Sequence, residues 1–401
     1  MTVDGHVAAP QGFVFMPRTP PGSQSSLRAA NRDRVLGVLR REGSLAQAEI
    51  ARLTGLSPAT VSNIVGELRE SGDVDVRPAV SGGRRAVRVS LSRRSGVVIG
   101  LDFGHRHLRV AVGDLAHEVL AEDVVDIDVD HQAQEGIATA GRLVDDLLGR
   151  LAVDRADVVG VGMGLPGPID AVTGAVGSSA ILPGWVGVPA AAQMSERLGL
   201  PVRVDNDANL GALAELHWGA GQGVRDLAYL KASTGVGSGL VIDGRVHRGG
   251  AGTAGEIGHT TLDENGSVCR CGNRGCLETI VGTSVLLESL RTSHGPDLTV
   301  RGMIDRAVAG DAGCARVVSD AGRAIGNAAA NLCNLLNPQM IVVGGDLAAA
   351  GETLLEPMRQ VVHRFAVPAA VPTIVAGVLG ERAEVLGALA LVLREGEPIP
   401  R

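Results

Sequence analysis

The chain has 401 residues, 45% of them hydrophobic but only 2% aromatic, and a formal net charge of −7. That length suits two or three domains, with cores built from Ala, Val and Leu. No stretch approaches the ~18 continuous apolar residues of a membrane span, and the N-terminus lacks a basic region followed by an apolar one. A cytoplasmic protein with reduced thiols is expected.

The charge is unevenly placed. Residues 24–95 carry 13 arginines against 7 acidic residues, whereas residues 96–401 carry 23 basic against 36 acidic residues. A small basic module joined to a large acidic body suggests a nucleic-acid-binding part and a separate body.

Residues 1–23 hold Pro10, Pro17, Pro20 and Pro21 among scattered glycines and are predicted to be a disordered tail. A helix is predicted over 27–41, ended by Gly43. A second is predicted over 45–53, with Ile50 and Leu53 inward, followed by a turn at Thr54, Gly55 and Leu56. Ser57 is a good N-cap and Pro58 fits the first helical position of a third helix reaching about Arg69. Val61, Ile64, Val65 and Leu68 follow the i, i+3, i+4, i+7 spacing of a buried stripe. The opposite face shows Ala59, Thr60, Ser62, Asn63 and Glu67. Strand-like runs 74–80 and 86–91 flank a Gly82-Gly83-Arg84-Arg85 turn.

Together these form a winged helix-turn-helix over residues 24–92. Its third helix would enter a major groove, with Ser57, Thr60 and Asn63 near base edges. Arg84 and Arg85 on the wing would reach phosphates or a minor groove. The expected partner is operator DNA. A two-fold-related site implies a homodimer or a dimer of dimers.

After the polar link 92–95 a second body opens. Strands are predicted at 97–103, 108–112, 119–125 and 158–164, with a helix over 134–151. This order resembles an actin/hexokinase-type (ribonuclease H-like) half. A second half is predicted from strands at 227–230, 238–242, 245–247 and 340–343, with helices over 322–336 and 382–394. The resemblance implies an α/β fold class, a winged helix followed by a two-lobed sugar-kinase fold.

The stretch from Gly249 to Glu278 is the densest in chemistry. His259, Cys269, Cys271 and Cys276 supply one imidazole and three thiols, enough to close a tetrahedral zinc shell. Zinc is the expected cofactor, structural because the shell is closed. Cys314 and Cys333 sit in apolar helical surroundings and read as core residues. Glu256 and Glu278 bracket the ligands.

G-E-x-G-H followed by C-x-C-G-x-x-G-C-x-E resembles the signature of the ROK family, which groups sugar-responsive repressors with sugar kinases. The resemblance covers nearly the whole chain from about Leu27. It implies that His259 and the three cysteines hold zinc, while Glu256, His259 and Glu278 face a sugar. It also implies that the last helix returns to the first half. The lobes are then 96–205 with 381–396, and 206–380 carrying the zinc loop. Asn206-Asp207-Ala208-Asn209 resembles the family's N-D-A-N at the junction. Asn206 offers a donor and an acceptor to a hydroxyl, and Asp207 would be the general base of a kinase. Loops at Gly164–Gly167 and 182–185 resemble those lining the family's cleft, with Ile181 where members often have Asn.

The nucleotide side departs from the family's kinases, which carry Asp-x-Gly-Gly-Thr-Lys on the first hairpin. Here Asp102-Phe103-Gly104-His105-Arg106-His107 has lost the second Gly, the Thr and the Lys. Glycines let backbone N–H groups approach phosphates. Ser233 and Ser238 replace glycines in the second loop, and Asp346 puts a carboxylate in the third. The sequence thus reads as a sugar-responsive transcriptional regulator, a repressor, whose effector is a sugar or sugar phosphate and whose body lacks efficient phosphoryl transfer. The alternative is an active kinase using ATP-Mg with Asp207 as base.

Overall fold

A computed structural model describes residues 24–81, 84–92, 95–129, 131–170, 173–177 and 182–394. The expected tail 1–23, the wing-tip residues Gly82 and Gly83, and Ile181 lie outside these residues. Two compact units divide between Leu91 and Ser92.

The first unit runs α1 (Gln24–Glu42), β1 (Leu45–Ala46), α2 (Gln47–Thr54), α3 (Pro58–Glu70), β2 (Val74–Ser81) and β3 (Arg84–Leu91). Val35 and Leu39 of α1, Ile50 of α2, and Val61, Val65 and Leu68 of α3 are buried together with Val89 on β3. Helix α3 starts where the sequence dictates. Ser57 is extended and its Oγ accepts from the Thr60 N–H at 3.2 Å, which satisfies a backbone donor that has no helical partner.

The second helix differs from expectation at its start. Leu45 and Ala46 are a short strand, paired antiparallel with Val89 and Arg88 on the wing. Helix α2 begins only at Gln47, with the Glu49 carboxylate accepting from the Ala46 N–H at 2.8 Å. Its buried face is then Ile50, Ala51 and Thr54, leaving Leu53 42% exposed rather than inward. The sheet edge offered by β3 outcompetes two residues of helix, because it satisfies their backbone groups directly.

The second unit begins with β4 (Val97–Phe103), β5 (His107–Asp114), β6 (Val119–Asp126), α4 (Ala133–Leu151), β7 (Val158–Leu165), α5 (Ala190–Leu198), β8 (Val202–Asn206) and α6 (Asp207–Trp218). It continues through β9 (Leu227–Ala232), β10 (Val236–Ile242), β11 (Arg245–Val246), α7 (Glu278–Val281), α8 (Thr283–His294), α9 (Val300–Val308), α10 (Ala312–Leu336), β12 (Met340–Gly344), α11 (Glu352–Phe365), β13 (Thr373–Ala376) and α12 (Ala383–Arg394).

Two five-stranded sheets result, ordered β6-β5-β4-β7-β8 and β11-β10-β9-β12-β13. Each joins an antiparallel three-stranded meander to two parallel strands, so the second sheet repeats the topology of the first. The central strand β4 is buried along its whole length, as the apolar run at residues 97–101 requires of a strand covered on both faces; the buried Asp102 near its end is the exception. Leu210 and Leu213 of α6, Ala388 and Leu391 of α12, and Leu227, Tyr229 and Val342 of the second sheet share one core cluster. Helix α12 also lies on β4 and β7. That contact needs Gly162, where a Cβ would come within 1.9 Å of the Ala388 carbonyl oxygen. The last helix therefore packs on the first sheet, as the sequence predicts, and carries Glu384 to the base of the cleft.

Candidate ligand cleft and metal centre

The loop carrying His259 and the three cysteines is held by hydrogen bonds rather than by a core of its own. Backbone bonds link Leu262 to Gly275, Gly275 to Ser267, Cys269 to Asn273 and Leu277 to Thr260. Gly275 has φ +60°, and a Cβ there would sit 1.6 Å from the Asp263 carbonyl oxygen, so no side chain fits. These turns bring the ligand atoms of His259, Cys269, Cys271 and Cys276 within 4.8 Å of one another. Cys269 Sγ lies 3.6 Å from His259 Nδ1, and Cys271 Sγ lies 3.7 Å from Cys276 Sγ. A tetrahedral zinc with bonds of about 2.3 Å to sulfur and about 2.0 Å to nitrogen spaces its ligands in this way, so the donor set fits the metal. Burial, reinforced by hydrogen bonds from the other two thiols, pushes Cys276 up to about 12. A bound divalent cation is the usual means of keeping such thiols ionised.

His259 faces both ways. Its Nδ1 points to Cys269, and its Nε2 is 3.8 Å from a Glu256 carboxylate oxygen. One ring can thus offer Nδ1 to a metal while its Nε2 approaches the Glu256 carboxylate. Burial, then the charges of Asp207 and Glu278, raises Glu256 to about 7. Asp207 and Glu278 thus lie near enough to Glu256 to repel its charge.

The residues expected to meet a sugar are not equally available. Asn206 caps α6: its Oδ1 accepts from the N–H groups of Ala208 (2.9 Å) and Asn209 (3.3 Å), and its Nδ2 donates to the Gly167 carbonyl (3.0 Å). One amide hydrogen is left to offer a ligand. Glu278 accepts from the Val236 N–H at 3.1 Å and is gripped by Arg270, whose Nε lies 2.8 Å from one oxygen and whose Nη2 lies 2.7 Å from the other. Asp205 is likewise spent, on Asn209 and on a two-pronged contact from Arg248. Asp207 takes its own helix N–H at 2.9 Å and, on the other oxygen, Lys231 Nζ at 2.8 Å.

The same lysine reaches Glu384 of α12 at 3.1 Å. Burial alone would lower its affinity for its proton, but Asp207, Glu384 and Asp102 push its pKa well above the lysine range. On the first hairpin, His107 Nε2 lies 3.0 Å from Asp102 Oδ2. Its ring covers Gly104 so closely that a Cβ there would be 2.1 Å away. Hydrogen bonding to Asp102 raises His107, against the lowering effect of burial. Ser233 of the second loop donates its hydroxyl to Asp346 of the third. Trp185, in the expected cleft loop 182–185, is wholly buried and donates to His131 Nε2 at 3.0 Å; it serves the core.

In the first unit, Ser57 and Thr60 share a hydroxyl–hydroxyl bond of 2.8 Å at the start of α3. Asn63 is exposed one turn on. Arg84 pairs in backbone register with Ser81, and Arg85 with Val80, beside the wing tip.

Residues 98–395 match the ROK family. The chain belongs to it. Residues 34–85 match the MarR family. A xylose repressor of Caldicellulosiruptor bescii is 30% identical over 391 residues, spanning 93% of this chain and 98% of the repressor. A glucokinase of Halalkalibacterium halodurans is 36% identical over 288 residues, spanning 67% of this chain and 86% of the kinase. The crystal structure of a ROK family transcriptional regulator, a homologue of the E. coli MLC protein, superposes with a TM-score of 0.73 at 24% identity, covering 92% of this chain and 96% of that one; this likeness supports the fold alone. Within the ROK body, Lys231, Glu384, Arg248 and Arg270 are the cleft residues that motif reading passes over. Lys231 carried a signal, since it is the single lysine beside 36 arginines. No described helix is long and apolar enough to cross a membrane.

Proposed function

We propose that this chain is a sugar-responsive transcriptional repressor that binds operator DNA through its winged helix and takes a sugar or sugar phosphate in the ROK cleft. The observation that carries this reading is the span of the xylose-repressor match, which takes in 93% of the chain, whereas the glucokinase match takes in 67%. Residues 96–205 with 381–396, and residues 206–380, are its two lobes; each holds one of the repeated sheets. The protein acts as a homodimer or dimer of dimers on a two-fold-related site. Ser57, Thr60 and Asn63 read base edges, and Arg84 and Arg85 hold the backbone.

Arg84→Ala with Arg85→Ala is expected to weaken binding to every duplex and to reduce the log–log salt slope by ~2, one counterion per lost phosphate contact. Asn63→Ala should instead relax sequence preference by roughly tenfold, about the discrimination of one base contact. Fluorescence anisotropy on matched and scrambled operators over a salt series separates the two. Equally tight operator binding by residues 96–401 alone would remove the assignment.

The cleft senses rather than catalyses. Phosphoryl transfer depends on positioning and neutralising the phosphates. Here His107 covers Gly104, Ser233 is tied to Asp346, and the candidate base Asp207 is already paired with Lys231. A panel of aldoses and their phosphates should include a compound that raises the melting temperature, with no sugar-dependent ATP consumption. Turnover of ~1 per second or faster, ordinary for an enzyme, would make the kinase reading the better one.

A further inference from the structure

Four elements deliver charge to one point at the base of the cleft. Asp102 comes from β4, Asp207 from the start of α6, Lys231 from β9 and Glu384 from α12. Asp102, at 1% exposure, and Glu384, at 5%, are buried outright, and Asp207 is largely so. Asp102 Oδ1 takes no hydrogen bond among the described residues, and its other oxygen is held by His107. The Lys231 ammonium lies 2.8 Å from Asp207 and 3.1 Å from Glu384, and Tyr229 supports the Glu384 carboxylate at 3.4 Å. Three carboxylates withdrawn from water need a cation, since an unpaired buried charge costs far more than a paired one returns.

The choice of side chain is informative. The chain uses arginine 36 times and lysine once. An ammonium is a compact point charge with three donors, whereas a guanidinium is a broad planar fork. Only the compact group resembles a hard divalent cation, which also gathers carboxylate oxygens at short range.

We infer that Lys231 is a tethered cation: it permanently fills the place among Asp207, Glu384 and Asp102 that a free divalent metal would otherwise have to occupy. The buried carboxylates are thereby partly neutralised with neither metal nor nucleotide present, one ammonium standing against three of them. Because the same ammonium bridges β9 to α6 and α12, it also ties the second sheet to α12, the helix that packs on the first. The inference rests on the cleft geometry, so it can fail without the repressor reading failing, and the reverse.

The test uses the full chain with its zinc loop loaded. Lys231→Met is expected to lower the melting temperature by roughly 5–10 °C in metal-free buffer, the range for breaking a buried ion pair in a body of this size. Millimolar Mn2+ or Mg2+ should restore at least half of the loss, while leaving the wild type unmoved. Adding Asp207→Asn to Lys231→Met should remove the metal response. A Lys231→Met protein with wild-type stability, or a destabilised one indifferent to both ions, would overturn the inference. The wild type gives a second reading that no folding failure can obscure. With a single lysine, [ε-13C]lysine labelling yields one side-chain signal, and paramagnetic Mn2+ should leave it sharp. Broadening of that signal by Mn2+ would show the cleft open to a metal and the tethered-cation role wrong.

Discussion

Cys271→Ser protein is expected to lose nearly all of its zinc, where the wild type carries about one ion per chain. The reason lies in how little else holds the loop. Its strands of backbone hydrogen bonds are short, its turns rest on glycines such as Gly275, and few of its side chains reach the core. A structural zinc contributes its binding energy to folding directly, because the ligands come together only in the folded chain. Serine offers a hard, neutral oxygen where the site needs a soft thiolate. We expect a loss of ~4 kcal/mol and a fall in melting temperature of roughly 8–12 °C. Cleft binding should disappear with the metal, since Glu256, His259, Arg270 and Glu278 are all carried by this loop or its borders. Metal analysis of folded wild-type protein showing no zinc would remove the claim and, with it, the account of how the cleft is shaped.

Much of the architecture was legible because it is written in local pattern. The apolar run at residues 97–101 reads as a covered strand, and the Ser57-Pro58 pair reads as the start of a helix. The His259, Cys269, Cys271 and Cys276 cluster, a candidate metal site, was legible because its chemistry and its closeness in sequence coincide. What stayed hidden depends on partners distant in the chain. Leu45 and Ala46 leave the helical pattern because β3, more than forty residues on, offers them a sheet edge. Motif reading presents Asn206 and Glu278 as free ligands for a polyol. The structure shows Asn206 spent mainly on capping α6, and Glu278 on Arg270, which sits between two metal ligands. Lys231 has an unremarkable sequence context, and its pairing with Glu384 spans half the body. Its rarity was visible, but its role needed the fold.

The carboxylate with the most capacity left is Glu256, and it should carry the effector response. Asp207 is paired with Lys231, Glu278 with Arg270 and Asp205 with Arg248. Among the described residues, Glu256 has only the 3.8 Å approach of His259 Nε2, too long for a hydrogen bond, and its side chain is 35% exposed. Its raised pKa reflects burial first and the repulsion of Asp207 and Glu278 second. Such a carboxylate gains by accepting a hydroxyl, because a hydrogen bond to the charged form replaces solvent it has lost. A charge-assisted bond of this kind is worth ~1.5–3 kcal/mol. Glu256→Ala should therefore weaken the thermal-shift ligand by roughly 10- to 150-fold and abolish its effect on operator binding at concentrations that saturate the wild type. Ligand-free operator affinity should stay within about twofold, since the winged helix is a separate unit and Glu256 bears none of its packing. The measurement is operator anisotropy with and without the ligand found in the aldose and aldose-phosphate panel. An unchanged ligand response in Glu256→Ala would move the sensing site away from the zinc-loop side of the cleft. A loss of ligand-free DNA binding would mean instead that the cleft and the reading helix are coupled before any ligand arrives.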